Sequence, residues 1–402
     1  MTETTGRAGL EFPLRRECPF APPPDYRRIR EEHPVQQVRL GGTRRAWVVS
    51  RHEHVRAVLT DQRHFTANRQ HPEFPSQVPI GEARPGDVRP LLSLDGAEHN
   101  RARRGVLSEF TFRQLEGLRP RSQQIVDARI DALLAAGKPA DLVEQVSLPV
   151  PSLVICELLG VPYADHAYFE AKTLTLLRRT TSHEQRRATF GEVSAYLTEL
   201  IAKKETDPQD DLLSRQIAKR RAEGSYRPDE LTALALLLLV AGHETTANMI
   251  SLSVLALLAD PARRAAAFAG PGSIQATVEE LLRYFTIIDI IPRLCVADTE
   301  IGGVPVRAGD GVLVLAHAAN RDPRVFSEPD VFDAGRGGRQ HLAFGFGPHQ
   351  CLGQNLARME LEIVLETLFR RVPQVRPADD PEALPFKDDA VIFGLYRLPV
   401  TW

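Results

Sequence analysis

Residues 228–260 limit the fold more than any other stretch. Pro228, Asp229 and Glu230 form a helix opening, and helical pattern then runs to Asp260 and stops before Pro261. That is about 33 residues, or about 50 Å at 1.5 Å per residue. The longest apolar run of the chain, 233–242, lies inside this tract and ends at His243 and Glu244. An apolar helix of this kind is a core helix or a membrane span, and the run stops well short of the roughly 20 apolar residues that a span requires. The tract therefore predicts a buried helix long enough to cross a large soluble domain. A buried carboxylate is costly unless it is paired or wetted, so Glu244 needs a reason to be there. In one account Thr245 back-bonds to the Ala241 carbonyl and Glu244 makes a structural pair; in the other, acid and hydroxyl serve chemistry.

The second constraint is HLAFGFGPHQCLGQNLAR, residues 341–358, which sets Cys351 between a glycine-rich turn and an amphipathic helix. Ala357, Leu361, Val364, Leu365 and Leu368 recur at helical spacing and share one face. A helix start gathers unpaired N–H groups and the positive end of the macrodipole, which favours thiolate over thiol. By itself such a cysteine is more often a small packed hydrophobe than a ligand. Gly345, Gly347 and Gly353 would let the backbone lie close against a flat ligand.

Around these stretches the pattern is mainly α with small β regions. Strands are expected at Val35–Leu40 and 46–50, flanking Gly41-Gly42, with a helix at 53–59. The 71–90 segment, with five prolines and two glycines, is expected to be an adaptable loop. Helical periodicity dominates from Arg101, with breaks at 137–139, at Asp207-Pro208 and at Gly224. Strands return at Val304–Val306 and Gly311–Leu315, and a hairpin turning at Lys387-Asp388-Asp389 is expected before a strand at 391–393. No repeat or long linker divides the 402 residues, so one domain, 1–402, is expected. A net charge of −2 excludes any global pull toward nucleic acid or anionic membrane. Cys18, Cys156, Cys295 and Cys351 show no disulfide or zinc spacing, and a reducing cytoplasm fits. The N-terminus carries no run resembling a signal or anchor, so a soluble protein is expected.

Phe344, Gly347, His349, Cys351 and Gly353 stand in the order and intervals of the heme-binding loop of the cytochrome P-450 superfamily, and the 341–358 segment resembles that loop throughout. The resemblance implies heme b, iron protoporphyrin IX, with Cys351 as axial iron ligand and His349 near a propionate. A thiolate trans to oxygen pushes electron density toward the iron and favours O–O cleavage. AGHETT, residues 241–246, resembles the distal-helix motif of the same superfamily. That implies an acid-alcohol pair over the iron, in which Thr245 holds the outer oxygen of bound O2 and Glu244 relays protons to it. Ala241 shares a face with Thr245, and Gly242 is expected to let the helix loosen there.

AEHNRARR, with His99 and Arg103, and IIPRLCVADTE, with Arg293, resemble the family's heme-propionate clamps, although a basic cluster is usually a solvated face. Where the family has a proline two residues before Glu98, this chain has Gly96. Glu280 and Arg283 of VEELLRY, with Arg336 of FDAGR, resemble its buried Glu-Arg-Arg network; an isolated ExxR pair is worth only about 0.3–0.5 kcal/mol. These stations follow family order from residue 95 to 358, and the branch most resembled is the soluble bacterial, actinomycete one. The implied architecture is a single heme domain with heme between a long central distal helix and a proximal cysteine-bearing helix.

Leu237, Val240, Ala241, Asp289, Ile290, Ile291, Val391 and Ile392 fall where the family places its pocket walls, with Asp289 as a polar anchor; core packing is the ordinary alternative for the aliphatics. The implied function is a monooxygenase that inserts one atom of O2 into a hydrophobic small molecule of secondary or xenobiotic metabolism. Electrons would come from a ferredoxin and its reductase, with Arg101, Arg104 and Arg358 as a basic footing. A monomer with no nucleic-acid or membrane partner is expected. A phenol-coupling or peroxide-using oxidase shares every heme station and is the competing reading; a heme sensor needs no proton relay and ranks last.

Overall fold

Strand-forming residues gather in one unit of the chain and helix-forming residues in another. The computed structural model describes residues 9–42, 44–77, 88–337 and 340–402. Its first unit draws on Met1–Glu82, Leu92–Asn100 and Glu279–Cys351, and its second on Ala83–Leu91, Arg101–Val278 and Leu352–Trp402. Helix accounts for 55% of the described residues and strand for 12%, the mainly α class expected from the sequence. Within the segment 71–90, residues 78–87 lie outside the described residues.

The first unit is built on a six-stranded mixed sheet. Its order is Glu11–Phe12, Val35–Leu40, Arg44–Val49, Gly311–Leu315, Ile290–Cys295, Phe65–Thr66. Side chains alternate across a strand, so neighbouring residues enter opposite cores. Val48, Leu313, Leu315 and Ile290 join Phe12, Tyr26 and Ile29 on one face. Val49, Val312 and Val314 join Val55, Val58 and Leu59 on the other. Helices Asp25–Glu32 and His52–Thr60 thus cover opposite faces, and the central strand Gly311–Leu315 is buried throughout. The same alternation sets Ile291 and Arg293 on the face opposite Ile290.

The second unit is a helical assembly. Helices Phe112–Ala135, His183–Thr206 and Leu212–Ala222 stop where Gly137, Pro208 and Gly224 were expected to break them. Thr111, Ser182 and Asp211 cap their N-termini with side-chain oxygens. The long helix runs unbroken from Pro228 to Ala259, with proline in its first turn, and helices Pro149–Leu159, His183–Thr206 and Gln354–Arg371 pack on it. It is long and apolar enough to cross a membrane, yet 67% of its most apolar window is buried inside the protein, which makes it a core helix. Gly242 does not loosen it. A Cβ there would lie 3.1 Å from Ile155 Cδ1, so the glycine serves close packing against Pro149–Leu159. Helix Gln354–Arg371 is buried on more than the one face its periodicity predicts, with Arg358, Met359, Glu360 and Thr367 also enclosed. Burial pushes the Glu360 carboxyl well above its ordinary value.

Candidate functional site

In the first unit the cysteine loop is held from within. The Cys351 amide donates to the Phe344 carbonyl at 2.8 Å and the Gly345 amide to Leu342 at 2.9 Å. Gly347 has a φ of +72°, and a Cβ there would lie 2.9 Å from the Leu59 carbonyl oxygen at the end of helix His52–Thr60. Only glycine meets both conditions. Arg56 from that helix stacks on Phe346, 4.2 Å from the ring centroid. Gly353 is different: its φ is negative and a Cβ there would meet nothing within 4 Å. The helix begins at Gln354, so Cys351 sits in the turn three residues before it, and its side chain is exposed.

Beside this loop the His99 and His349 rings lie 4.1 Å apart. His349 Nε2 is 3.3 Å from Asp95 Oδ1, and Asp95 also accepts hydrogen bonds from Thr66 Oγ1 and, at 3.1 Å, the Ala67 amide. Burial raises the Asp95 carboxyl, but His349, Thr66 and the Ala67 amide outweigh it and hold it below its ordinary value. Arg293, only 7% exposed, donates to the Pro292 carbonyl at 2.9 Å. Burial first, and then the charge of Arg69, lower it to about 10, with Asp95 opposing. Arg69, which the sequence analysis missed, is itself pushed down by burial. Two neighbouring guanidinia and one carboxylate that is already engaged leave positive charge unbalanced, and burial of cations is costly without an anion. This donor set fits the propionates of a heme. Arg103 follows His99 by one turn on helix Gly96–Leu107 and is half-buried. Gly96 opens that helix at φ +57°, a conformation closed to the proline usual there.

Glu280, Arg283 and Arg336 come together as expected, in a setting far from that of a surface pair. Arg283 donates from Nε and Nη2 to both Glu280 oxygens at 2.7 Å, and from Nη1 to the carbonyls of Asn320 and Pro329 at 2.8 Å. Arg336 Nε lies 3.5 Å from Glu280 Oε1, which also accepts the Asp333 amide at 2.8 Å. Glu280 and Arg283 are both buried.

In the second unit the long helix is buried on most faces, yet Leu237, Val240, Ala241 and Thr245 form a less covered stripe, with Ala241 exposed. Their spacing of three and four residues places them on one side. Thr245 Oγ1 donates to the Ala241 carbonyl at 2.7 Å. Behind the stripe Glu244, 3% exposed, pairs with the Nζ of Lys387, equally buried. Lys387 also donates to Asn248 Oδ1 at 2.9 Å, and Asn248 Nδ2 donates to Glu244 Oε1 at 3.3 Å. Both parts of the structural account of this motif, the back-bond and the ion pair, are therefore present.

The C-terminal hairpin turns later than expected: Lys387 lies at its base and not in its turn, and residues 391–393 form no strand. The Lys387 amide donates to the Gly394 carbonyl at 2.9 Å, as does the Tyr396 amide to Pro385. Val391 and Ile392 lie near the tip, where the Arg179 amide donates to the Asp389 carbonyl at 2.8 Å. A Cβ on Gly394 would collide with the Asn248 carboxamide.

Three expectations need correction. Tyr26 donates to Asp289 Oδ2 at 2.6 Å, which ties the supposed polar anchor to the sheet core. Ile290 enters that same core with Phe12 and Tyr26, because strand alternation turns it away from Ile291. Arg358 is not a surface cation: it is buried and donates to the Gln354 carbonyl and Oε1 at 3.3 and 3.1 Å, whereas Arg101 and Arg104 are exposed. Of the pocket residues in the first unit, Ile291 remains, its Cδ1 4.0 Å from where a Cβ on Gly345 would lie.

A family model described as Cytochrome P450 matches residues 273–392. Pentalenic acid synthase from Streptomyces avermitilis is 45% identical over 404 residues, covering 100% of both chains. Among solved structures, cytochrome P450 MoxA from Nonomuraea recticatena (CYP105) is similar with a TM-score of 0.89 and 53% identity over 98% of each chain. The mycinamicin VIII C21 methyl hydroxylase MycCI from Micromonospora griseorubida, solved bound to mycinamicin VIII, gives 0.91 and 39% over 98% of this chain and 100% of that one. Identity of this extent over the full length, on top of the thiol loop and its cationic neighbours, means that the chain belongs to the cytochrome P450 family, heme-dependent oxidoreductases of the monooxygenase kind.

Proposed function

We propose that this chain inserts one oxygen atom of O2 into a hydrophobic small molecule, by hydroxylation or epoxidation, as a single heme domain spanning 1–402. The observation that carries this reading is the less covered stripe of Leu237, Val240, Ala241 and Thr245 on a mostly buried helix, with a carboxylate directly behind it. Heme, when bound through a thiolate, supplies an iron that takes up O2 and is pushed toward O–O cleavage. Cys351 would supply that thiolate, and His99, Arg103, Arg293 and His349 would hold the propionates. Thr245, which spends its own proton on the Ala241 carbonyl, turns its lone pairs to the open side and there holds a proton donor in place. Glu244 restores the proton consumed on that side. Leu237, Val240 and Ala241, with Val391 and Ile392, bury the guest and exclude water, leaving regioselectivity to shape.

Electrons come from a ferredoxin and its reductase, and the chain works as a cytoplasmic monomer with no membrane or nucleic-acid partner. A relative named as the methyl hydroxylase of mycinamicin VIII supports oxygen insertion, on a bulky secondary metabolite, over phenol coupling. The test is Thr245→Ala. Heme content and the carbon monoxide spectrum should persist, while product per electron pair falls about a hundredfold, the lower end of what a positioned proton-transfer group contributes, and hydrogen peroxide makes up the difference. Unchanged coupling would remove Thr245 from the mechanism.

A further inference from the structure

The two carboxylate oxygens of Glu244 have unlike surroundings. Oε1 is taken by Lys387 Nζ and Asn248 Nδ2, whereas Oε2 is buried and meets no hydrogen-bond partner. Nearby buried polar atoms share that condition. Ser147 Oγ on the turn Val143–Ser147 and Glu170 Oε1 on helix His166–Leu177 have no partner. The His243 ring faces the Leu148 carbonyl without closing a hydrogen bond in good geometry at either nitrogen. These side chains belong to one neighbourhood: the turn and both helices, Pro149–Leu159 and His166–Leu177, pack on the long helix. His243 feels the charges of Glu244, Lys387 and His166, and Glu170 those of His166, Arg129 and Glu244. Unpartnered buried polar atoms are costly and rare, and several in one place mark a site for ordered water or proton transfer. A purely structural ion pair would need none of them. At the outer end His166 is half-buried, its Nδ1 2.7 Å from the Tyr163 carbonyl.

We propose that Lys387 and Asn248 are positioning residues that clamp Glu244 by Oε1, and that Oε2 receives protons through waters bonded to His243, Ser147 and Glu170, drawn from solvent at His166. The inference rests on the reading of Glu244 as the acid that restores protons to the open side. Each proton Glu244 gives up there is replaced at Oε2 by Glu170 or a water, and the donor is reprotonated from solvent, so the route returns to its starting state. Burial raises the Glu170 carboxyl above its ordinary value, with His166, a Ser152 hydrogen bond and Arg129 opposing and the charge of Glu244 adding to it, which favours its carrying a proton. Burial lowers His243 to about 4, so the ring is neutral at pH 7 and offers one N–H and one lone pair, the state that passes a proton on without retaining it.

Two measurements on the heme-loaded full chain test this. A high-resolution crystal structure should show ordered waters joining Glu244 Oε2 to His243, Ser147 and Glu170; a dry, close-packed contact overturns the route. In His243→Phe and Glu170→Leu the heme content and carbon monoxide spectrum should persist, while peroxide release rises several-fold and the solvent deuterium isotope effect on product formation grows. Lys387→Met should uncouple in the same way, with partial rescue by Lys387→Arg. If Glu244→Gln uncouples turnover while His243→Phe and Glu170→Leu leave both the partition and the isotope effect unmoved, the route alone fails. If Glu244→Gln also leaves coupling intact, the role of Glu244 falls and this inference with it.

Discussion

At the scale of single residues, Asp95 shows how a carboxylate is held in a half-buried place beside cations. Its folded-state carboxyl is held below its ordinary value, so the stability it contributes is present in full above that ordinary value, about 3.9, and is lost as pH falls through the lower folded value. Asp95→Asn should therefore cost about 1–3 kcal/mol at neutral pH, and urea melts at stepped acid pH should show wild type and variant converging. A gap independent of pH would mean that the carboxylate charge is not what the site uses. Asp95 was hidden in the sequence, where SLDG resembles any turn. Cys351 and Thr245 were legible because their signals are local, a spacing of glycines around a thiol and a hydroxyl inside an apolar run. Lys387 was not, because its partner Glu244 lies 143 residues away and KDD is ordinary turn chemistry.

At the scale of elements, boundaries followed proline and glycine closely, and the long helix ended one residue from its expected stop. Burial was harder to foresee. Periodicity gave helix Gln354–Arg371 one apolar face, but a core thick enough to surround a helix also encloses its polar residues, as it does Arg358 and Glu360. The same thickness changes the worth of Glu280 and Arg283. An exposed pair at this spacing contributes a fraction of a kcal/mol, whereas removal of one partner from a buried, multiply bonded pair costs about 3–5 kcal/mol. Glu280→Ala should show a loss of that size in urea unfolding, with the midpoint lowered. A loss below about 1 kcal/mol would return the pair to the surface class.

For the molecule as a whole, the net charge of −2 gives no direction to an encounter with a redox protein, so steering depends on local charge. With Arg358 buried, the exposed cations proposed for that role are Arg101 and Arg104 on helix Gly96–Leu107. Reversal of both to glutamate should raise the KM for an acidic ferredoxin at low ionic strength while leaving the substrate-induced spectral shift alone, and the difference should shrink as salt is added. Equal KM values at low salt would move the docking face elsewhere. One further consequence concerns how such an enzyme diversifies. Any side chain at position 394 collides with Asn248, so the base of the C-terminal hairpin is fixed to the long helix. Its tip is held to residues 177–179 by main-chain hydrogen bonds, which any amino acid but proline can make. A lineage can thus exchange Val391, the proposed pocket residue, for any residue but proline in search of new guests while the Lys387–Glu244 pair a few residues away stays in register, a division of labour that suits a scaffold reused for many compounds.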